Sequence, residues 1–394
     1  MIELPSELDL YERASRNLGT YNNHYLDATA KTLFASYSHL NANDSYTYPE
    51  ISAIKKYCGN FLLRLSGVNH LDDFQYHTTS GSAEAVFLGL LTLKRHAEET
   101  RPNAKLNVIV GSNAHICWKK AADYLDLELR EMTVDEKTMV LTPADVLNQI
   151  DDNTMGVCAT LGTPTTLLFD PVSALNTALA DYFKKTNRFI PIHVDAAGGG
   201  FIAPFMYPHL IWDFRLPHVY TINISSHKYG MVYPCLGWLL TRDLPCLEKM
   251  THQNDYLGNA MKRISLQFSH SAANILTQYH HIKTLGLEGY QTRIQHLFFL
   301  TGLLKKYFST RDEIIVLNSD AQLQLPGVVF TMQSDVHLKK LISDLKNRNW
   351  YLPIYRLPAP LHQKQVARIV IRHGFTVEHI QALIADIHAC LMQT

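Results

Sequence analysis

The stretch TINISSHKYG, Thr221 to Gly230, closes an alternating apolar run with Ser225, Ser226 and His227 and then Lys228. A lysine amine that acts as a nucleophile must be neutral, partly desolvated and within reach of its target, and small hydroxyl neighbours suit it better than surface charges do. Such an amine needs a carbonyl partner. In FIPIHVDAAGGGF, His193 and Asp195 lie two apart in a strand pattern, so both project from one face while Ile192 and Val194 point from the other. A buried carboxylate there needs a cationic or protonated partner. A satisfied aspartate in a turn is the plainer account, and Gly198 to Gly200 suit that turn as well as they suit a flat ligand lying on the backbone. In TTSGSAEAVFLGLL, Gly81, Ser82 and Ala83 start a helix whose apolar Val86, Leu90 and Leu93 recur at helical spacing. Its free N–H groups and serine hydroxyl suit a phosphate; the structural alternative is Ser82 as N-cap with Glu84 in the first turn. His115, opening the helical pattern AHICWKKAADYL, is a candidate to stack on a ring or a structural histidine.

An amine for an aldehyde, a carboxylate for a protonated ring nitrogen and a cradle for a phosphate are together the requirements of pyridoxal 5'-phosphate. Lys228 would take the aldehyde and Asp195 the ring nitrogen. No GxGxxG follows a strand, which argues against a nicotinamide cofactor.

These residues need a scaffold that gathers them. Between about residues 82 and 243, short apolar runs (LNVIVGS, LELREM, GVCATLG, FIPIHVDA, HVYTINISS, GWLLTRD) alternate with helical patterns, which predicts an α/β fold with a mostly parallel central sheet flanked by helices. Active residues then sit beyond the carboxyl ends of the strands. The chain turns helical from Ser269 to about Tyr307, and a smaller α+β unit follows, with IIVLN, GVVFTMQ and ARIVIRHGF as strands and VEHIQALIADIHACL as a closing helix. The expected organisation is an N-terminal arm over 1–50, a large cofactor-binding domain over 51–290 and a small C-terminal α+β domain over 291–394.

The 394 residues carry 36 basic and 36 acidic side chains and are 46% hydrophobic, which fits a folded chain with a large core and no electrostatic footprint for nucleic acid or an acidic membrane. The expected partners are a small molecule and a second copy of the chain. The six cysteines are scattered without a CxxC pair, so neither a disulfide framework nor a metal site is expected. The start MIELPSELDLYER lacks a basic region followed by an apolar run, and no 18-residue apolar window occurs; the expectation is a cytoplasmic protein.

Four long stretches, HVDAAGGGFIAPF, IWDFRLPHVYTINISSHKYG, NDYLG and LQFSHSAANILTQYHHIKTLGLEGY, resemble the glutamate decarboxylases, group II pyridoxal-phosphate-dependent amino-acid decarboxylases of fold type I. The likeness extends to DSYTYPEISAIKKYCGNFL and ARIVIRHGF and covers most of the chain. It implies Lys228 as the lysine that attaches the cofactor, Asp195 as the ring-nitrogen partner, His115 as the ring-stacking residue, and Gly81, Ser82, Ala83, Ser225 and His227 around the phosphate. It further implies that Ser269 reaches the phosphate of the neighbouring subunit in a homodimer, that Tyr256 lies on a loop closing over the substrate, and that Arg368 binds the substrate carboxylate. Ser36 and Tyr37 align with a Thr-Phe pair that handles the distal carboxylate in bacterial members, and Asp44 with a flap aspartate from the other subunit. The chain departs from the family where His115 replaces a glutamine, Ala83 a second serine, and Leu167 a usual glycine. The implied reaction is decarboxylation of an amino acid, glutamate first. Another acidic, an aromatic or a histidine-like substrate, another reaction of the same fold such as lyase or aminotransferase chemistry, and a non-catalytic cofactor-binding homologue are the alternatives.

Overall fold

The structure is a computed structural model that describes residues 7–254 and 261–392. Its centre is a seven-stranded sheet of β1 (Phe74–Thr79), β2 (Asn107–Gly111), β3 (Glu128–Met132), β4 (Thr154–Thr160), β5 (Ile192–Asp195), β6 (Val219–Ser225) and β7 (Gly237–Arg242), in the order β1-β7-β6-β5-β4-β2-β3. Every pair from β6 to β3 is parallel, whereas β7 runs antiparallel to both β6 and β1. The parallel strands β2, β4 and β5 are buried at every position, polar Asn107, Thr154, Thr160, His193 and Asp195 included, as in a sheet covered on both faces.

The covering helices follow from amphipathic spacing. They are α1 (Glu7–Ser15), α2 (Ala28–Tyr37), α3 (Pro49–Leu65), α4 (Ser82–Glu98), α5 (Cys117–Tyr124), α6 (Pro143–Asn148), α7 (Val172–Thr186), α8 (Ala203–Met206) and α9 (Pro245–Met250). Helix α4 buries Val86, Leu90 and Leu93 and lies against β6 and β7. A two-stranded ribbon of β8 (His252–Asn254) and β9 (Met261–Arg263) follows, and then α10 (Ala273–Phe308), which bends at Gly286, where φ is 57°.

The second sheet comprises β10 (Ile314–Val316), β11 (Gly327–Met332), β12 (Ile354–Arg356) and β13 (Gln365–Val370), all antiparallel in the order β10-β11-β13-β12. Helices α11 (Asp335–Asn347) and α12 (Val377–Leu391) pack on one another beside it, α12 burying Ile380, Leu383 and Ile387. The N-terminal segment runs along this sheet: Leu18 N–H donates to Tyr351, Tyr351 N–H to Arg16, and Val370 N–H to Leu18. Arg372, 1% exposed, donates to the carbonyls of Asn22, Ala14 and Asn17 at 2.6, 2.7 and 2.6 Å.

Three details differ from the sequence-based expectation. Strand β1 and the short β12 carry no long apolar run, and both are strands because a neighbour pairs with them. Helix α5 starts at Cys117, leaving His115 in the turn before it, where the His115 Nδ1 accepts from Cys117 N–H at 3.2 Å. Ser82 does not cap α4: the capping position is Gly81, without a side-chain bond, and Glu84 instead accepts from the Ser80 N–H and hydroxyl at 2.7 and 2.8 Å. No helix among the described residues is long and apolar enough to cross a membrane.

Candidate active site

The carboxyl ends of β1, β4, β5 and β6 open into one cavity of about 550 Å³, with the N-terminal segment and β13 forming its other wall. Gly81, Ser82, Ala83, His115, Asp195, Ser225, His227, Lys228 and Arg368 all line it.

Asp195 ends β5 and is 3% exposed. Its Oδ1 accepts from Asn223 Nδ2 at 2.8 Å and from the Ala197 N–H at 3.2 Å, and its Oδ2 accepts from Trp118 Nε1 at 3.2 Å. The orientation of Asn223 is set one step further back. Its Oδ1 lies 2.7 Å from His193 Nε2, and His193 Nδ1 lies 2.8 Å from the Thr221 hydroxyl. An amide oxygen can only accept, so His193 Nε2 carries the proton and the Asn223 amide must face Asp195. Burial holds the His193 imidazole neutral, its pKa lowered. The ring is packed so closely on α4 that a Cβ at Gly89 would sit 2.5 Å from it. The chain Thr221, His193, Asn223 thus aims from below a carboxylate whose Oδ2, with Trp118 as its one donor, can accept a second hydrogen bond.

Lys228 follows β6 by three residues. Burial pulls its amine below the ordinary lysine range, with Asp195 opposing and Arg368 adding to the effect. Its Nζ lies 5.0 Å from the centre of the Tyr21 ring, and the guanidinium of Arg368 lies 4.5 Å from the same ring. Arg368 donates to the Gly19 carbonyl at 2.7 Å, while its buried Nε has no hydrogen-bond partner.

At the other end of the cavity the hydroxyls of Ser82 and Ser225 meet at 2.6 Å beside the N-terminus of the 17-residue α4. His227 Nδ1 donates to the Leu236 carbonyl at 3.0 Å, and burial brings its pKa down to about 4, so Nε2 keeps a lone pair. Gly81 is required by approach: a Cβ there would lie 2.9 Å from His227 Cε1. Two rotatable hydroxyls, a helix N-terminus and a glycine-lined wall fit a phosphate. A buried, neutrally bonded carboxylate fits a protonated ring nitrogen, and an amine of lowered basicity fits an aldehyde. The residues present therefore fit pyridoxal 5'-phosphate.

The remaining expected residues stand apart from this cavity. Ser36 and Tyr37 are exposed at the end of α2, and Ser269 is exposed before α10. Asp44 accepts from the Thr47 N–H at 2.9 Å, a bond that lowers its pKa. Tyr256 lies outside the described residues. Tyr21 in the cavity wall, and Trp118 and Asn223 behind Asp195, are side chains that sequence patterns did not single out. Trp118 lies three residues after His115 on the same helical pattern, and Asn223 shares the strand face of Thr221 and Ser225, so both had a periodic signal. Tyr21 had none, because it reaches the cavity from an irregular segment.

Residues 32–333 match the model of the pyridoxal-dependent decarboxylase conserved domain. A glutamate decarboxylase of Lactococcus lactis is 34% identical over 374 residues, covering 92% of this chain and 80% of that one. Glutamate decarboxylase 2 of Arabidopsis thaliana is 33% identical over 401 residues, covering 98% and 80%. Among solved structures, a glutamate decarboxylase of Lactobacillus brevis superposes with a TM-score of 0.91 at 28% identity, covering 100% of this chain and 94% of that one.

Proposed function

The chain belongs to the glutamate decarboxylase family of pyridoxal-dependent decarboxylases, and from that premise we propose that it converts L-glutamate to 4-aminobutanoate and CO2. It is a carboxy-lyase of fold type I, and its cofactor is pyridoxal 5'-phosphate. The observation that carries the reading is the convergence of Lys228, Asp195 and the Ser82–Ser225 pair on one cavity at the strand ends.

When bound, the cofactor accepts the electron pair released as the α-carboxylate leaves as CO2. The protein's part is to hold and orient. Lys228 attaches the aldehyde, and its depressed basicity keeps the amine nucleophilic. Asp195 holds the positive charge on the ring nitrogen, where an uncharged partner would stabilise it less. Gly81, Ser82, Ala83, Ser225 and His227 hold the phosphate, and His115 covers a ring face. Arg368, with an unpaired Nε, takes a substrate carboxylate. Lys228, and Tyr256 on its loop, are the candidates to return a proton to the substrate α-carbon.

The working unit in this reading is a cytoplasmic homodimer. Its six scattered cysteines, with no CxxC pair, suit a reducing compartment. Ser36, Tyr37, Asp44 and Ser269 serve the cavity of a second copy, which accounts for their position away from their own. The arm over 1–50, the large domain over 51–290 and the small domain over 291–394 are the units that assemble the site.

A panel of common amino acids with amine and CO2 detection tests the substrate. Hydroxyls at Ser36 and Tyr37 would be left unpaired by an apolar side chain, at a cost of about 1–3 kcal/mol each. Glutamate is expected to exceed leucine and phenylalanine at least about tenfold in kcat/KM, equivalent to about 1.4 kcal/mol. Equal or faster turnover of phenylalanine or tyrosine would overturn the glutamate assignment and favour an aromatic substrate, in keeping with His115.

A further inference from the structure

Away from the cavity, the N-terminus of α2 meets the first half of α10 at a cluster the reaction does not use. Asp27 caps α2, its Oδ1 accepting from the Ala30 N–H at 2.8 Å. Its other oxygen, Oδ2, lies 3.3 Å from His281 Nε2 and 3.5 Å from His280 Nε2. His281 is 1% exposed; its Nε2 faces the Asp27 carboxylate, and its Nδ1 has no hydrogen-bond partner. A buried imidazole that leaves one nitrogen without a hydrogen bond is costly, and native structures rarely keep one without a reason.

We propose that Asp27, His280 and His281 form a binding site for a divalent first-row transition ion, Zn²⁺ in the first instance. The ligand atoms of the three residues lie within 4.8 Å of one another. The two measured carboxylate-to-imidazole distances bracket the edge of a tetrahedron with Zn–N bonds of about 2.0–2.1 Å, which is about 3.4 Å. Two imidazoles and one carboxylate form a donor set that zinc accepts and that the hard, oxygen-seeking magnesium and calcium ions do not favour. Three protein ligands leave a fourth position for water, and the partly exposed Asp27 and His280 give solvent access to it. The ion would tie α2 to α10, two helices that already pack together.

The test uses the purified, cofactor-loaded enzyme after treatment with a chelator. Zn²⁺ is titrated by calorimetry, and Co²⁺ is titrated in parallel to read the visible absorption of a tetrahedral N/O site. A single ion per chain at micromolar concentration, strong cobalt bands and a Zn²⁺-dependent rise in melting temperature are expected. Asp27→Asn keeps the helix cap and removes the charge, and His280→Ala alters the half-buried ligand; both should fold and lose the cobalt bands and the thermal shift. Absence of stoichiometric binding in the unaltered enzyme would overturn the site, as would equal binding and unchanged cobalt spectra in both variants.

Discussion

Asp195, the proposed partner of the ring nitrogen, shows how a buried carboxylate is positioned by groups behind the cavity wall. Three neutral donors hold its two oxygens, and the Asn223 donor is itself oriented by His193. Asp195→Asn would replace one oxygen by an amide N–H2 that opposes either Trp118 or the Asn223 and Ala197 donors, and it would remove the charge that faces the ring nitrogen. The expected outcome is a fall in kcat of at least about a hundredfold together with weaker cofactor retention. Stopped-time amine assays and dialysis against cofactor-free buffer measure the two separately. A rate near that of the unaltered enzyme would show that the carboxylate does not stabilise the reacting ring. His193, Asp195 and Lys228 were legible in the sequence because strand alternation places residues two apart on one face and because the HKYG turn ends a buried strand. Trp118 had a helical-period signal that did not reveal its partner, and Tyr21 had none. The first reaches Asp195 only through the packing of α5 on the sheet, and the second through a segment whose path is set by partners some 350 residues away.

Among the elements, the central parallel strands were the most readable, since burial on both faces favours the short, mostly apolar runs such as NVIVG and TMGVCAT that mark them. Strand β1, FQYHTT, is half-buried over most of its length and owes its conformation to six pairings with β7, which no local pattern announces. The loop after β4 offers a sharper test of local against tertiary preference. Leu167 has a φ of 67°, a left-handed conformation that costs a non-glycine residue about 1–2 kcal/mol. Yet its side chain is fully buried, its N–H donates to Thr163 and its carbonyl accepts from Leu325. Leu167→Gly would relieve the backbone but empty a core position, and leucine truncations cost about 2–5 kcal/mol. Net destabilisation of about 1–3 kcal/mol is expected from urea unfolding, even though glycine is the residue the conformation favours. A stabilised variant would mean that the loop repacks around the missing side chain.

The whole molecule brings two further expectations. If Ser269 serves the cavity of a second copy, then Lys228→Ala and a bulky substitution such as Ser269→Phe, each inactive alone, restore one intact site when mixed as dimers. Random exchange of subunits should return about a quarter of full activity. No recovery on mixing, with exchange confirmed by tagged subunits, would confine each site to its own chain. The second concerns acid. Burial, with Arg372 and His379 nearby, brings the His24 pKa down to about 3, and burial with Arg293 nearby does the same for His373. Because these folded-state values lie below 6.5, the unfolded chain binds more protons throughout the interval from about 6.5 to about 3. The stability these neutral rings contribute is therefore present above pH 6.5 and is lost as the pH falls, by at most about 1.4 kcal/mol per pH unit for each ring. Urea midpoints should drop between pH 7 and pH 5, and His373→Gln should flatten that slope. An unchanged slope in the variant would assign the acid sensitivity to other groups.

The arginine clasp on the N-terminal segment bears on how the enzyme comes to life in the cell. Arg368 and Arg372 grip carbonyls that precede them by 349 to 358 residues, so the wall carrying Gly19 and Tyr21, although Tyr21 and Asn23 also bond to Pro164 and His227, lacks this clasp while the ribosome is still working through the intervening chain. At about 5–20 residues per second, the seven-stranded sheet has many seconds to form before either arginine is added. A nascent polypeptide halted before residue 368 would present Lys228 and Asp195 on a settled sheet beneath an open roof. Secure capture of the vitamin-derived cofactor therefore waits until both arginines have been made and have closed on the N-terminal segment.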